Sequence, residues 1–172
     1  MELNKYIILP NGTPSNFKYS EFTDSYTALR HGIDNIPKDP EIWRNIERLV
    51  GNVLQPVRDK MGIVIIKSGY RCPELNKVIG GSTNSNHTRG EAADFVVAQE
   101  GRTILTVCKW IAKQLEFREL IAEYPPDGWV HVAYRQYANN NEIKLKDNDH
   151  NYAKVDIKHI IRVHGTRGDG RG

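Results

Sequence analysis

The sequence predicts an α+β domain with a central, mostly antiparallel sheet flanked by helices. Two observations carry that prediction. Helical patterns fill the first third of the chain, and short β-branched runs follow, with one long amphipathic helix set among them. At 172 residues, 39% hydrophobic and 26% charged, the chain is long enough for one core and has the composition of a globular domain.

Taken in order, residues 1–19 read as irregular, with Pro10, Gly12 and Pro14 as punctuation. Residues 20–30 read as a short helix ended by His31-Gly32. A stronger helix is predicted over 39–60, where Ile42, Ile46, Leu49, Val50, Val53, Leu54 and Val57 follow helical spacing. Pro56 falls inside it and predicts a kink. Residues 62–67 form a short β-branched run that reads as a buried strand, and residues 73–78 as a helical turn. Residues 80–86 are a loop by composition. Residues 92–97 read as a strand and 103–117 as an amphipathic helix. Two further strands are expected over 119–124 and 129–135, joined by Pro125-Pro126-Asp127-Gly128. Beyond Tyr137 the chain turns polar, with a last strand expected over 155–163 and a disordered tail over 164–172. The predicted organisation is therefore an irregular segment (1–15), a domain (16–137), an extension (138–163) and the tail.

The net charge of +3 is small and scattered, and no dense basic face interleaved with aromatics points to nucleic acid. No window approaches the roughly 18 apolar residues of a membrane helix. The N-terminal residues MELNKYIILPNG carry only a short apolar run and do not read as a signal peptide. The expectation is a monomer, cytoplasmic at synthesis, with no membrane partner. Cys72 and Cys108 form no CxxC pair and read as small buried hydrophobes.

Chemistry concentrates in three places. His87 lies in a loop, and Asp94 follows seven residues later at the entry to an apolar strand. An aspartate entering a buried strand needs a partner, and a divalent metal would serve. His131 sits in Trp129-Val130-His131-Val132-Ala133, where alternation puts it on the face of Trp129 and Ala133. Taken alone, a strand histidine is more often a core residue bonded to a backbone carbonyl. Neither HExxH nor paired CxxC is present, so spacing alone is a weak metal signal. The Arg167-Gly168-Asp169 triplet, and His150 with Asp147 and Asp149, read as tail and solvated loop.

The run Ser68-Gly69-Tyr70-Arg71, Asn76, Gly80-Gly81, Ser85, His87, Gly90 and Ala92-Ala93-Asp94 resembles the M15 peptidases. So do Ala28-Leu29-Arg30-His31-Gly32 upstream, and Leu120-Ile121-Ala122-Glu123 followed by Trp129-Val130-His131-Val132. The resemblance covers roughly residues 16–137. It implies the fold shared by zinc D-alanyl-D-alanine peptidases and Hedgehog domains. It also implies a Zn2+ held by His87, Asp94 and His131, and a peptidoglycan stem-peptide substrate cut by a carboxypeptidase or an endolysin-type endopeptidase. The enzyme would act on the wall after release, as a phage-encoded protein would. A silent zinc-containing binding module or virion component is the alternative.

The family places an acid shortly before the last histidine. Glu123 matches that role, with Asp127 as the alternative base and turn former. Many members put the acid three residues before the histidine, where this chain has Gly128. Parity supplies a test: Glu123 shares the face of His131 only if the intervening loop has an odd number of residues, such as 124–128, or the strand is bulged. The resemblance also implies that Arg71 faces the cleft, to bind a substrate carboxylate or stabilise an oxyanion, with a structural ion pair equally open. Ser85, Tyr70 and Trp129 are the remaining candidate substrate contacts.

Overall fold

The computed structural model describes residues 2–155. Within them a six-stranded mixed sheet is covered by helices on one face, and the other face carries a cluster of charged side chains at its centre. The expected strand over 155–163, except Val155, and the expected disordered tail lie outside the described residues.

The segment expected to be irregular is instead a small hairpin, β1 (Tyr6–Ile8) and β2 (Pro14–Lys18). Its turn closes where Gly12 takes a left-handed φ of 81° and donates its N–H to the Leu9 carbonyl. Alternation then drives Ile7, Ser15 and Phe17 inward. The expected helix over 20–30 is two, α1 (Ser20–Thr23) and α2 (Tyr26–His31). Ser25 is extended and accepts a hydrogen bond from the Ala28 N–H, so it starts a new helix rather than continuing the old one.

α3 (Pro40–Leu49) begins on Asp39, whose carboxylate accepts from the Glu41 N–H, with Pro40 in the first turn. It runs through a wide π turn (Val50–Leu54) into α4 (Gln55–Met61). The irregularity expected at Pro56 thus lies in the turn before it. The widened turn accommodates a residue that cannot donate to the helical ladder.

The sheet order is β3-β4-β6-β5-β7-β8, from β3 (Ile63–Ser68), β4 (Ala92–Ala98), β5 (Glu119–Glu123), β6 (Trp129–Ala133), β7 (Glu142–Lys146) and β8 (Tyr152–Lys154). Every pairing is antiparallel except β5 with β7. α5 (Pro73–Val78) follows β3, and α6 (Ile104–Gln114) joins β4 to β5. α6 opens with a reciprocal Thr103–Thr106 cap. It ends earlier than expected because Leu115 turns extended, which lets Phe117 drop into the core.

Val64, Ala93, Phe95, Leu120, Ala122, Val130 and Val132 project from one face of the sheet into the core, with Ile46, Leu49, Val53, Leu54, Val57 and Ile111 from the helices. Complete burial of such a side chain is worth about 1.5–3 kcal/mol before entropy is counted. The alternate residues of β4, β6 and β5 must then face the other way. That face carries Asp94, His131, Glu119 and Glu123.

Candidate active site

Register fixes the site. Asp94 is the direct cross-strand neighbour of His131, and His131 that of Ile121. Two rungs further, Glu123 pairs with Trp129. The connecting loop is the five residues 124–128, an odd number, so Glu123 shares the face of His131 and Asp94.

His87 arrives from another direction. It sits in a 3₁₀ turn (Asn86–Arg89) whose N-cap is Ser85, the hydroxyl accepting from the His87 N–H at 3.3 Å. The segment after β3 clamps the turn. His87 Nδ1 lies 2.7 Å from the Gly69 carbonyl, and the His87 carbonyl accepts from the Arg71 N–H at 3.2 Å. A carbonyl can only accept, so Nδ1 carries the proton and Nε2 presents a lone pair. Gly69 is required there: a Cβ would come within 2.6 Å of the Phe22 Cα, where Tyr70 N–H donates to the Phe22 carbonyl.

The three candidate ligand atoms converge. His87 Nε2 is 3.2 Å from His131 Nδ1 and 3.3 Å from Asp94 Oδ1, which is 2.8 Å from His131 Nδ1. A tetrahedral zinc with bonds near 2.0–2.1 Å needs ligands separated by about 3.3 Å. Two imidazole nitrogens and a carboxylate oxygen, with Nδ1 of His87 anchored to a backbone carbonyl, fit a catalytic zinc set.

Burial and mutual charge act on all three side chains. Burial pushes His87 down, only partly offset by Asp94. Burial also opposes a charge on His131, but Asp94 and Glu119 outweigh it and hold the ring up at about 9. Asp94 is kept far below the ordinary carboxylate range by His87 and His131, against its own desolvation. A divalent cation and a proton therefore compete for the same spot.

Around the cluster a cavity of about 600 Å³ is lined by Arg71, Ser85, Trp129, Glu119, Glu123 and Lys146, among others. Its size falls in the ordinary range of ligand pockets. Arg71 Nη2 is 3.5 Å from Asp94 Oδ2, and its buried Nε has no hydrogen-bond partner among the described residues. Trp129 Nε1 is likewise unpartnered, and the ring meets Tyr124 edge-on at 5.2 Å.

Two expected site residues lie elsewhere. Tyr70 is buried in the core and borders a separate cleft beside α2, so it does not wall this cavity. Arg71, the next residue, borders both that cleft and this cavity. Asp127 is exposed on the turn and borders a different hollow with Arg102 and Pro126. The acid common at position 128 has no room in this loop. A Cβ on Gly128 would lie 1.9 Å from the Glu123 carbonyl oxygen.

The structure adds residues that the sequence analysis did not single out. Glu119 Oε1 stands 3.5 Å from His131 Nε2. Its carboxyl is held at about 2, chiefly by His131 and Lys144 against burial. Lys144, Lys146 and Tyr152 come from β7 and β8. The signal for Glu119 was its parity with Glu123. For β7 it was the alternation Glu142-Ile143-Lys144-Leu145-Lys146, set in a polar stretch.

Among the described residues no helix is long and apolar enough to cross a membrane. No curated protein matches the chain. A family model described as peptidase M15 matches residues 15–133. That match spans well over half of the sequence and takes in the three strands and the turn that bring His87, Asp94 and His131 together, so the chain belongs to the M15 peptidases, a family of metallopeptidases.

Proposed function

We propose that the protein is a zinc peptidase that hydrolyses peptide bonds in peptidoglycan stem peptides, with Glu123 as general base and acid. The observation that carries this reading is the register that sets Glu123 on the face of Asp94 and His131 and leaves Asp127 outside the cavity.

His87 Nε2, Asp94 Oδ1 and His131 Nδ1 would hold the ion. Bound there, zinc supplies Lewis-acid polarisation of a carbonyl and lowers the pKa of a water molecule. Glu123 takes the proton of the attacking water and returns it to the departing amine. Only 7% of the Glu123 residue is exposed, so that transfer is shielded from bulk solvent. The Nε of Arg71, without a partner among the described residues, is free to donate to a substrate oxygen, either a terminal carboxylate or the developing oxyanion. Ser85 holds His87 through its main chain, and Trp129 forms the wall beside Glu123.

Either a carboxypeptidase or an endolysin-type endopeptidase is compatible with an open cavity of this size. The substrate lies in the cell wall, and a monomer, phage-encoded and released at lysis, would reach it. The decisive experiment compares wild type with Glu123→Gln on purified peptidoglycan, following new amino groups and zinc content together. Release by the wild type, with zinc retained but release lost in the variant, supports the reading. Zinc without release from any wall type turns the assignment to a binding module.

A further inference from the structure

β7 and β8 lie beyond the family-matched stretch, yet they complete the cavity. β7 joins the sheet by the parallel pairing with β5, in which Glu123 is matched with Lys146. Lys146 Nζ donates to Glu123 Oε2 at 3.0 Å, both side chains being at least four-fifths buried. The ammonium is itself held in place, 4.9 Å from the ring centres of Tyr124 and Tyr152. The main chain repeats the brace, because the Lys146 carbonyl accepts from the Tyr124 N–H at 3.0 Å. Ile143 and Leu145 pack against the core from the opposite face and fix the strand.

A glutamate has three rotatable bonds, and the Glu123 side chain borders an open cavity that Arg71 also lines. The bond from Lys146 restricts that freedom. It engages Oε2, while Oε1 makes no hydrogen bond among the described residues. We propose that the β7–β8 extension is a working part of the active site, and that Lys146 is the positioning residue that holds the Glu123 carboxylate over the cavity. The kinetic part of this proposal rests on the proposed role of Glu123; the structural part does not.

The test uses the full chain loaded with zinc, with Lys146→Met and Lys146→Arg made in the wild-type and Glu123→Gln backgrounds, and thermal melts to confirm folding. A crystal structure of Lys146→Met should show the Glu123 carboxylate displaced from its place over the cavity, while Lys146→Arg keeps it in place. On peptidoglycan peptides, Lys146→Met should lower kcat about tenfold, with KM and zinc content nearly unchanged, and Lys146→Arg should restore most of the rate. In the Glu123→Gln background Lys146→Met should cost nothing further. A Glu123 carboxylate that stays in place in Lys146→Met overturns the proposal, as does an equal loss in both backgrounds. Should Lys146→Met fail to fold, loss of activity in a folded Lys146→Arg whose Glu123 is unmoved also overturns it. If the wild type cuts no substrate, the peptidase reading fails while the carboxylate position still decides the role of Lys146. Displacement of Glu123 without any kinetic effect sinks the general-base assignment and leaves the positioning contact standing.

Discussion

Glu123 and Trp129 face each other on the last rung of the β5–β6 ladder, and the five residues between them set which side of the sheet each occupies. Because His131 lies two positions beyond Trp129, one residue more or fewer in the loop would turn Glu123 away from Asp94 and His131.

Replacing Glu123 by Gln keeps the size of the side chain and removes its capacity to take a proton. Peptide hydrolysis should fall by about 10²–10⁴-fold. Zinc content should stay near one per chain, because the three ligands are untouched. Asp127→Asn, on the exposed turn, should leave the rate within about twofold, the ordinary result of a surface change. Amine release and metal analysis on the same samples read both, and a stronger effect at Asp127 would reverse the two assignments.

Gly128 bears on the same register. A methyl group there meets the Glu123 carbonyl at 1.9 Å, and backbone cannot give way as a side-chain tip can. Gly128→Ala should cost about 2–4 kcal/mol, the upper range for overpacking against backbone. Urea unfolding gives that number directly. Any folded fraction should be slow in hydrolysis, since relief of the clash pulls the end of β5 out of line.

How much of this was legible beforehand depends on whether the signal was local. The α3–α4 run announced itself through seven apolar residues at helical spacing. His87, Asp94 and His131 were weak signals singly and were brought together only by the resemblance of the motifs around them to the M15 peptidases. The hairpin of β1 and β2 did not announce itself, because its inward residues are only Ile7, Ser15 and Phe17. β7 carries just two apolar residues amid asparagines and aspartates, and its alternation acquires meaning only when β5 pairs with it in parallel. Glu119, Lys144 and Lys146 were missed for the same reason. Each is an ordinary surface residue in sequence and becomes a site residue only across strands.

The carbonyl of Gly69 fixes the tautomer of His87, so the close approach to Phe22 should matter to metal binding as well as folding. Gly69→Ala should destabilise the protein by about 1–3 kcal/mol. Moving the carbonyl should also weaken zinc affinity about 10–100-fold, as loss of an outer-shell partner does. Competition with a coloured chelator measures the affinity independently of turnover.

Glu91 supplies a pH dependence away from the ligands. Its carboxylate is buried and accepts from Arg135 Nε and Nη2 at 2.9 and 2.7 Å and from Arg89 Nε at 2.8 Å. These contacts tie the end of the His87 turn to the segment after β6. Burial works against the charge, but Arg135 and Arg89 outweigh it and leave the carboxyl below its ordinary value. A folded-state pKa below the unfolded one means that the unfolded chain binds the proton more readily. The stabilisation is therefore complete above the unfolded value, near 4.3, and is lost as pH falls through the lower folded value. Glu91→Gln should cost about 1–3 kcal/mol at neutral pH, because both guanidinium groups lose their charged partner. The difference between variant and wild type should shrink as the pH is lowered below about 4. Denaturant unfolding across that range checks it, and a gap that stays constant with pH would mean that Glu91 acts through packing rather than charge.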